Sequence, residues 1–349
     1  MLMSTGCQVA LMKTMNRCFD FLRGLGLAAA LWAGGSPAWA ADAADPVFAA
    51  IRNGDREAVE RALSDPAVVR ERDAEGNTPL IAAALHGDAR MLEALLRLGA
   101  EVGATNGAGV DALMRGATDP GKVRLLLNRG ADPRARSGLG NSALMLAARR
   151  SGNAESVRLL LERGAEPNVT NVFGATALMA AVAAEDEGSV RALLDRGAEV
   201  NVQPPDTVNG FIFGGGRTPL MWAAYRGNVG MTRLLLQRGA RIEDRTLIGT
   251  ALTQAAWGEK AETARVLLEA GANPKATDLI GNFTALHWAA SAEGPAEELV
   301  RMLLQRGADP RAEGGQPVDG FLGEPQTPLI LARKRGDTPV TRALAGAAG

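Results

Sequence analysis

The chain has 349 residues, with 38 Lys and Arg against 39 Asp and Glu, a formal net charge of −1 at pH 7. Charges this evenly balanced set up no global field for gathering phosphates, which argues against a general nucleic-acid binder and leaves only a local basic patch. Aromatic residues make up only 4% while Gly numbers 42, a composition that favours small, closely approaching helices over a β-sandwich.

The first 40 residues read as a secretory signal peptide. Lys13, Arg17 and Arg23 precede an apolar run from Leu25 to Ala33, followed by Gly34, Gly35 and Pro37 and then Ala38-Trp39-Ala40, which places cleavage after Ala40. The run is about half the length a bilayer span requires. Met1, Met12 and Met15 all stand as candidate starts. Both cysteines, Cys7 and Cys18, lie in the segment to be removed, so the exported chain is expected to hold no disulfide, no thiolate nucleophile and no Cys-based metal site.

After the signal a degenerate unit is expected over residues 41–76. It has one helix from Val47 to Asn53, a Gly54-Asp55 turn and a second helix from Arg56 to Leu63. From there a two-part punctuation recurs. Helix starts stand at Thr78-Pro79-Leu80, Asp111-Ala112-Leu113, Ser142-Ala143-Leu144, Thr176-Ala177-Leu178, Thr218-Pro219-Leu220, Thr250-Ala251-Leu252, Thr284-Ala285-Leu286 and Thr327-Pro328-Leu329. Thr, Ser and Asp accept from the free amides of a helix start, and Pro fits just inside it. About 20 residues after the first seven comes a Gly-Ala pair, at Gly99, Gly130, Gly164, Gly197, Gly239, Gly271 and Gly307. These glycines are expected to take the left-handed conformation that closes a second, Leu-rich helix. Between the two helices, Gly87-Asp88, Gly152-Asn153, Gly227-Asn228 and Gly336-Asp337 are expected to end the first and cap the second. The repeat over residues 110–130 departs most, with Asp111 for Thr and a short Thr118-Asp119-Pro120 turn.

A helix, a turn, a helix and an extended turn in about 33 residues, with these residues in these places, resembles the ankyrin repeat. The fullest match is Thr284-Ala285-Leu286-His287-Trp288-Ala289-Ala290, followed by Gly307-Ala308-Asp309. The resemblance implies an all-α, ankyrin-repeat solenoid of about nine stacked helix pairs with projecting β-hairpin loops. The N-terminal capping unit would be 41–76, seven repeats 77–326, and the C-terminal capping unit 327–349. It also implies that His287 ties neighbouring hairpins together by a hydrogen bond.

Departures from regularity mark candidate sites. Two tips are long, at 203–216 and 311–326, and they carry Phe211, Ile212 and Phe213, and Phe321 and Leu322. These side chains either grip a partner or fold back over adjacent hairpins. The residue before the tip Gly is apolar at Leu139, Phe173, Phe213, Ile248, Ile280 and Leu322, in register for a contact stripe unless packing between hairpins buries it. After each Ala-Ala pair, two positions belong to the inner face that the resemblance implies: Leu85 and His86, Arg149 and Arg150, Tyr225 and Arg226, Trp257 and Gly258, Lys334 and Arg335. Tyr, Trp and Arg dominate contact energies between proteins, so Tyr225, Arg226, Trp257, Arg149 and Arg150 join the loop residues as candidate partner-binding groups. The Arg residues read equally as solvated charges. Trp222 and Trp288 are expected inside the stack, and His86 as a cation or polar group at a helix end.

Chemistry is sparse. Two histidines 201 positions apart lack metal-ligand spacing, and Gly214-Gly215-Gly216-Arg217 lacks the Lys of a phosphate loop. No cofactor, metal or catalytic residue is expected. The leading reading is a non-enzymatic, monomeric scaffold exported to the periplasm, where it binds another protein. The alternatives are a secreted effector acting on a host protein, and a small-ligand or hydrolytic site between the two inserted loops.

Overall fold

A computed structural model describes residues 46–203, 216–279, 281–294, 296–315 and 325–349. The segment 1–40, most of both long tips and Ile280 lie outside the described residues. The chain divides into two compact units, with described residues 46–199 in the first and 200–349 in the second.

The first unit holds α1 (Pro46–Asn53), α2 (Arg56–Ala62), a 3-10 turn (Pro66–Arg70), α3 (Pro79–His86), α4 (Ala89–Arg97), α5 (Ala112–Arg115), α6 (Pro120–Asn128), α7 (Ala143–Ala148), α8 (Ala154–Glu162), α9 (Ala177–Ala183) and α10 (Glu187–Asp195). The second holds α11 (Pro219–Arg226), α12 (Val229–Gln237), α13 (Ala251–Trp257), α14 (Ala261–Glu269), α15 (Ala285–Ala290), α16 (Glu297–Gln305), α17 (Pro328–Arg333) and α18 (Pro339–Ala348). Within each unit, first helices pack on first helices, as α3 does on α1 and α5, and second helices on second helices, as α8 does on α6 and α10.

Local chemistry sets each start. Side-chain oxygens of Thr78, Asp111, Ser142, Thr176, Thr218, Thr250 and Thr327 accept from the amide three residues on, and Thr284 shares a reciprocal capping box with His287. The Leu that follows in each motif from Leu80 to Leu286 is at most 1% exposed. First helices are rich in Ala, so neighbouring helices approach closely. Second helices bury a stripe such as Val157, Leu160 and Leu161. The Gly of every Gly-Ala pair has φ between 81° and 94°.

Two helix starts differ from the sequence expectation. Asn153 does not cap α8. Its amide donates to Ala117 O and Ala147 O and its Oδ1 accepts from Ser156 Oγ, so it ties two repeats together. Asp337 does not cap α18 either; Thr338 does, and Asp337 pairs with Arg342 at 3.0 Å.

Hairpins join repeats at their tips. Three are closed by a polar side chain that accepts from amides two and four residues on, as Asp73 does from Glu75 and Asn77, Asn106 from Ala108 and Val110, and Asn171 from Phe173 and Ala175. Successive tips are then linked by Gly107 N–H to Glu75 O, Gly138 N–H to Ala108 O and Val172 N–H to Leu139 O, and by Asn106 Nδ2 to Asn77 Oδ1 and Asn171 Nδ2 to Asn141 Oδ1. A Cβ on Gly109 would stand 3.0 Å from Gly138 N, and its φ is +72°. Pairing within the described hairpins narrows to isolated bridges such as Arg136 with Ser142 and Gly314 with Gln326, because these links to the neighbouring tip replace a strand ladder.

Candidate protein-interaction face

In the second unit, Thr218 and Pro219 start α11 and thereby set Trp222 and Tyr225 one turn apart on the same side. Arg217, just before the cap, folds back over that side. Its guanidinium lies 5.0 Å from the Trp222 ring, 4.7 Å from Tyr225 and 5.4 Å from Trp257 of the next repeat. Its Nε donates to Gln254 Oε1 at 2.7 Å, and Gln254 Nε2 donates in turn to Ile248 O. Arg217 is only 3% exposed, so the ring faces and Gln254 stand in for water around the buried cation. The Gly-rich run that ends in Arg217 thus supplies an aromatic cluster with its cation.

The rings continue across repeats. Tyr225 meets Trp257 edge-on at 6.0 Å, Trp257 stacks on Trp288 at 5.1 Å and 23°, and Trp288 meets Phe283 edge-on at 5.6 Å. Phe283 is in turn edge-on to His287 at 5.3 Å. Trp288 is 4% exposed, as expected of a residue inside the stack, whereas Trp222, Tyr225, Arg226 and Trp257 are half-buried. Trp222, expected inside, therefore shares its surface between packing and solvent.

His287 is held from both sides. Its Nδ1 accepts from Thr284 N–H at 3.1 Å, which leaves the proton on Nε2 to be donated to Gln326 O at 3.0 Å in the next hairpin. Burial pushes its pKa down to about 4. Below it, Asp278 accepts from Gly281 N and Phe283 N, and burial raises its carboxyl above the ordinary value.

The remaining predicted positions fall in different surroundings. Arg149 and Arg150 are exposed where α7 ends. Leu85 is 48% exposed beside His86. His86 is exposed at the end of α3, the polar group at a helix end that the sequence suggested, and partial burial with the charges of Arg52, Arg115 and Lys122 lowers its pKa. Lys334 and Arg335 are used in packing. Lys334 Nζ donates to Gln326 Oε1 at 2.6 Å, and Arg335 donates to Ser291 O and Ala292 O. Phe211, Ile212, Phe213, Phe321 and Leu322 lie outside the described residues.

Among the described residues, the apolar positions before the tip glycines do not form an exposed edge; Phe213, Ile280 and Leu322 of that stripe lie outside them. Ile248 is 6% exposed, and Leu139 and Phe173 are half-buried, because each tip is drawn against its neighbour's backbone. Among the described tip residues, the exposed large apolar ones are instead Val172 and Leu279, each a residue further from the Gly.

Sequence reasoning missed Arg217 and Phe283. Each stands immediately before a cap Thr, a place that Asn77, Asn141 and Gln326 hold in other repeats, and a large cation or ring there was the available signal. Among the described residues, no group of three or more His, Cys, Asp or Glu could hold a metal ion, and no helix is long and apolar enough to cross a membrane.

Comparison with known proteins gives the same architecture. A family model described as "Ankyrin repeats (3 copies)" matches residues 26–106, 110–204, 205–278 and 249–314. No curated protein matches the chain. The human ASB11 ankyrin repeat domain is similar in structure, with a TM-score of 0.52 and 23% identity over 78% of this chain and 99% of that one. The ankyrin repeat domain of Bcl-3, a member of the IkappaB protein family, has a TM-score of 0.52 and 29% identity over 66% of this chain and 99% of its own. With its capped helix pairs, left-handed glycines and cross-linked tips matched by that family model over most of its length, the chain belongs to the ankyrin-repeat family.

Proposed function

We propose that the protein is an exported, non-catalytic binding module that captures a periplasmic protein through the aromatic face of its second unit. Ankyrin repeats mediate protein–protein interaction, and this chain adds a particular chemistry to that frame. Trp222, Tyr225 and Trp257 keep part of each ring in solvent around a buried guanidinium. That observation carries the reading, because aromatic groups pre-set by packing lose little freedom on binding. Arg226 at the end of α11 adds a cation beside them. Export is supported by the basic, apolar and small-residue sequence of residues 1–40.

Affinity capture from periplasmic extract tests the face. Tyr225→Ala and Arg226→Ala are expected to lose the partner that the unaltered chain retains, with unchanged far-UV circular dichroism. Equal capture removes the aromatic face from consideration. A variant with loop 203–216 cut to ordinary hairpin length shows whether Phe211, Ile212 and Phe213 contribute. Cell fractionation checks location: the expected product is periplasmic and begins at Ala41. Recovery only from culture medium would turn the reading toward a secreted effector.

A further inference from the structure

In the first unit the residue just before a cap ties hairpins together. Asn77 accepts from Asn106 Nδ2 at 2.8 Å and Asn141 from Asn171 Nδ2 at 3.0 Å, each bond joining one tip to the next. Arg217 holds the same place before the cap Thr218, and its side chain goes elsewhere. Its Nε donates to Gln254 Oε1 in α13 at 2.7 Å, and its guanidinium lies 4.7–5.4 Å from the rings of Trp222, Tyr225 and Trp257. Gln254 is itself fully buried and fixed, since its Nε2 donates to Ile248 O at 2.5 Å. The cation is therefore held in place by a side chain that cannot turn away.

A second device sets the spacing of the rings. The helices α11 and α13 pack on each other, and Gly258, the residue after Trp257, admits the close approach of their ends. A Cβ on Gly258 would stand 2.5 Å from Tyr225 O. Its φ of −75° is one that any residue adopts, so space and not conformation calls for glycine here. With that contact made, Trp257 meets Tyr225 edge-on at 6.0 Å. Rings from two repeats are thus fixed both by a shared cation and by the approach of one backbone to the other.

We infer that Arg217 is the positioning residue of the proposed binding face, with Gly258 setting the ring spacing, and that it acts on a bound protein only through Trp222, Tyr225 and Trp257. At 3% exposure the guanidinium has almost no surface to offer a partner, whereas the three rings are half-buried and keep surface in solvent. A cation is attracted to the face of each ring, so all three converge on one point. Their outer surface is then held in one arrangement before a partner arrives, and the ordering is completed in folding rather than in binding. Charge is essential to this role, because a neutral group of the same shape fills the space without attracting the rings. A lysine keeps the charge but lacks the planar fork that reaches Gln254 and the rings together. The inference rests on the aromatic face being the binding face, while the ordering of its rings is measured in the free protein.

Tyr225 is the single tyrosine of the chain, so fluorotyrosine incorporated into the full-length protein gives one fluorine NMR signal from the face. In Arg217→Ala that signal is expected to move and broaden. Millimolar guanidinium chloride is expected to return it to its original place, whereas urea, neutral and of the same planar shape, is not. Arg217→Lys is expected to move it less than Arg217→Ala does. Gly258→Ala, which leaves the cation in place, is expected to move it with no response to guanidinium. Circular dichroism of each variant checks folding; if Arg217→Ala does not fold, an unmoved signal in both Arg217→Lys and Gly258→Ala overturns the inference. In capture from periplasmic extract, the protein retained by the unaltered chain is expected to fall about tenfold or more with Arg217→Ala, and to recover with guanidinium but not with urea. An unmoved signal in folded Arg217→Ala, or equal restoration by urea, would overturn the inference. Undiminished capture by Arg217→Ala where Tyr225→Ala has lost the partner overturns the positioning role alone. Undiminished capture by Tyr225→Ala overturns the proposed function and the positioning role with it.

Discussion

His287 shows how one side chain couples two repeats. Its neutral form is required by Nδ1, which accepts from Thr284 N–H, while Nε2–H donates to Gln326 O. Its pKa is about 4 in the folded chain against an ordinary 6.5. The unfolded chain therefore takes up a proton in a range where the folded one does not. The His287 contribution to stability is nearly complete above pH 6.5 and is expected to fall by about 3 kcal/mol as pH drops from 7 to 4. His86 is lowered too and contributes in the same direction. Urea unfolding over this range checks the dependence, and a His287→Gln variant is expected to show a shallower one. Because the motif His was legible in the sequence, so was this link. Arg217 was not, since a residue on extended backbone before a cap has a direction set by its neighbours. Only the rings of two repeats, brought together, place its guanidinium among Trp222, Tyr225 and Trp257.

Helix pairs and tips use glycine for two separable reasons. Gly130 closes α6 with a φ of +87° and has no atom within 4 Å of where a Cβ would stand, whereas Gly109 combines a φ of +72° with a backbone nitrogen 3.0 Å from that point. Gly130→Ala is expected to cost about 1 kcal/mol from conformation alone. Gly109→Ala is expected to cost at least twice that, because the neighbouring hairpin must move as well. Denaturant midpoints of the two variants check the order. Caps and left-handed glycines were readable because they are settled within four or five residues of chain. The role of Asn153 was not, since its partner Ala117 O belongs to the preceding repeat. The same holds for the apolar residues before the tip glycines, whose burial depends on how neighbouring hairpins press together.

At the scale of the molecule, contacts run from repeat to repeat, so stability is close to a sum of neighbour terms. The described tryptophans, Trp222, Trp257 and Trp288, all lie in the second unit. Leu160 is fully buried in the first. In a chain beginning at Ala41, Leu160→Ala is expected to cost about 2–5 kcal/mol and to lower the unfolding midpoint seen by circular dichroism more than the one seen by tryptophan fluorescence. Coincident shifts would show the two units unfolding as one. The repeat frame was legible from punctuation alone. The aromatic cluster of the second unit was only partly so, because sequence supplied its residues but not which of them share a side.

The close approach at the tips has a consequence for how recognition can change. Where Gly76 and Gly109 admit the next hairpin's backbone, the pitch between rungs is fixed by main chain and is indifferent to what decorates the helix ends. The frame acts as a ruler whose markings can be repainted. Exchanging the residues at those ends would alter which cargo is gripped, while a side chain at Gly109 would push the neighbouring rung aside.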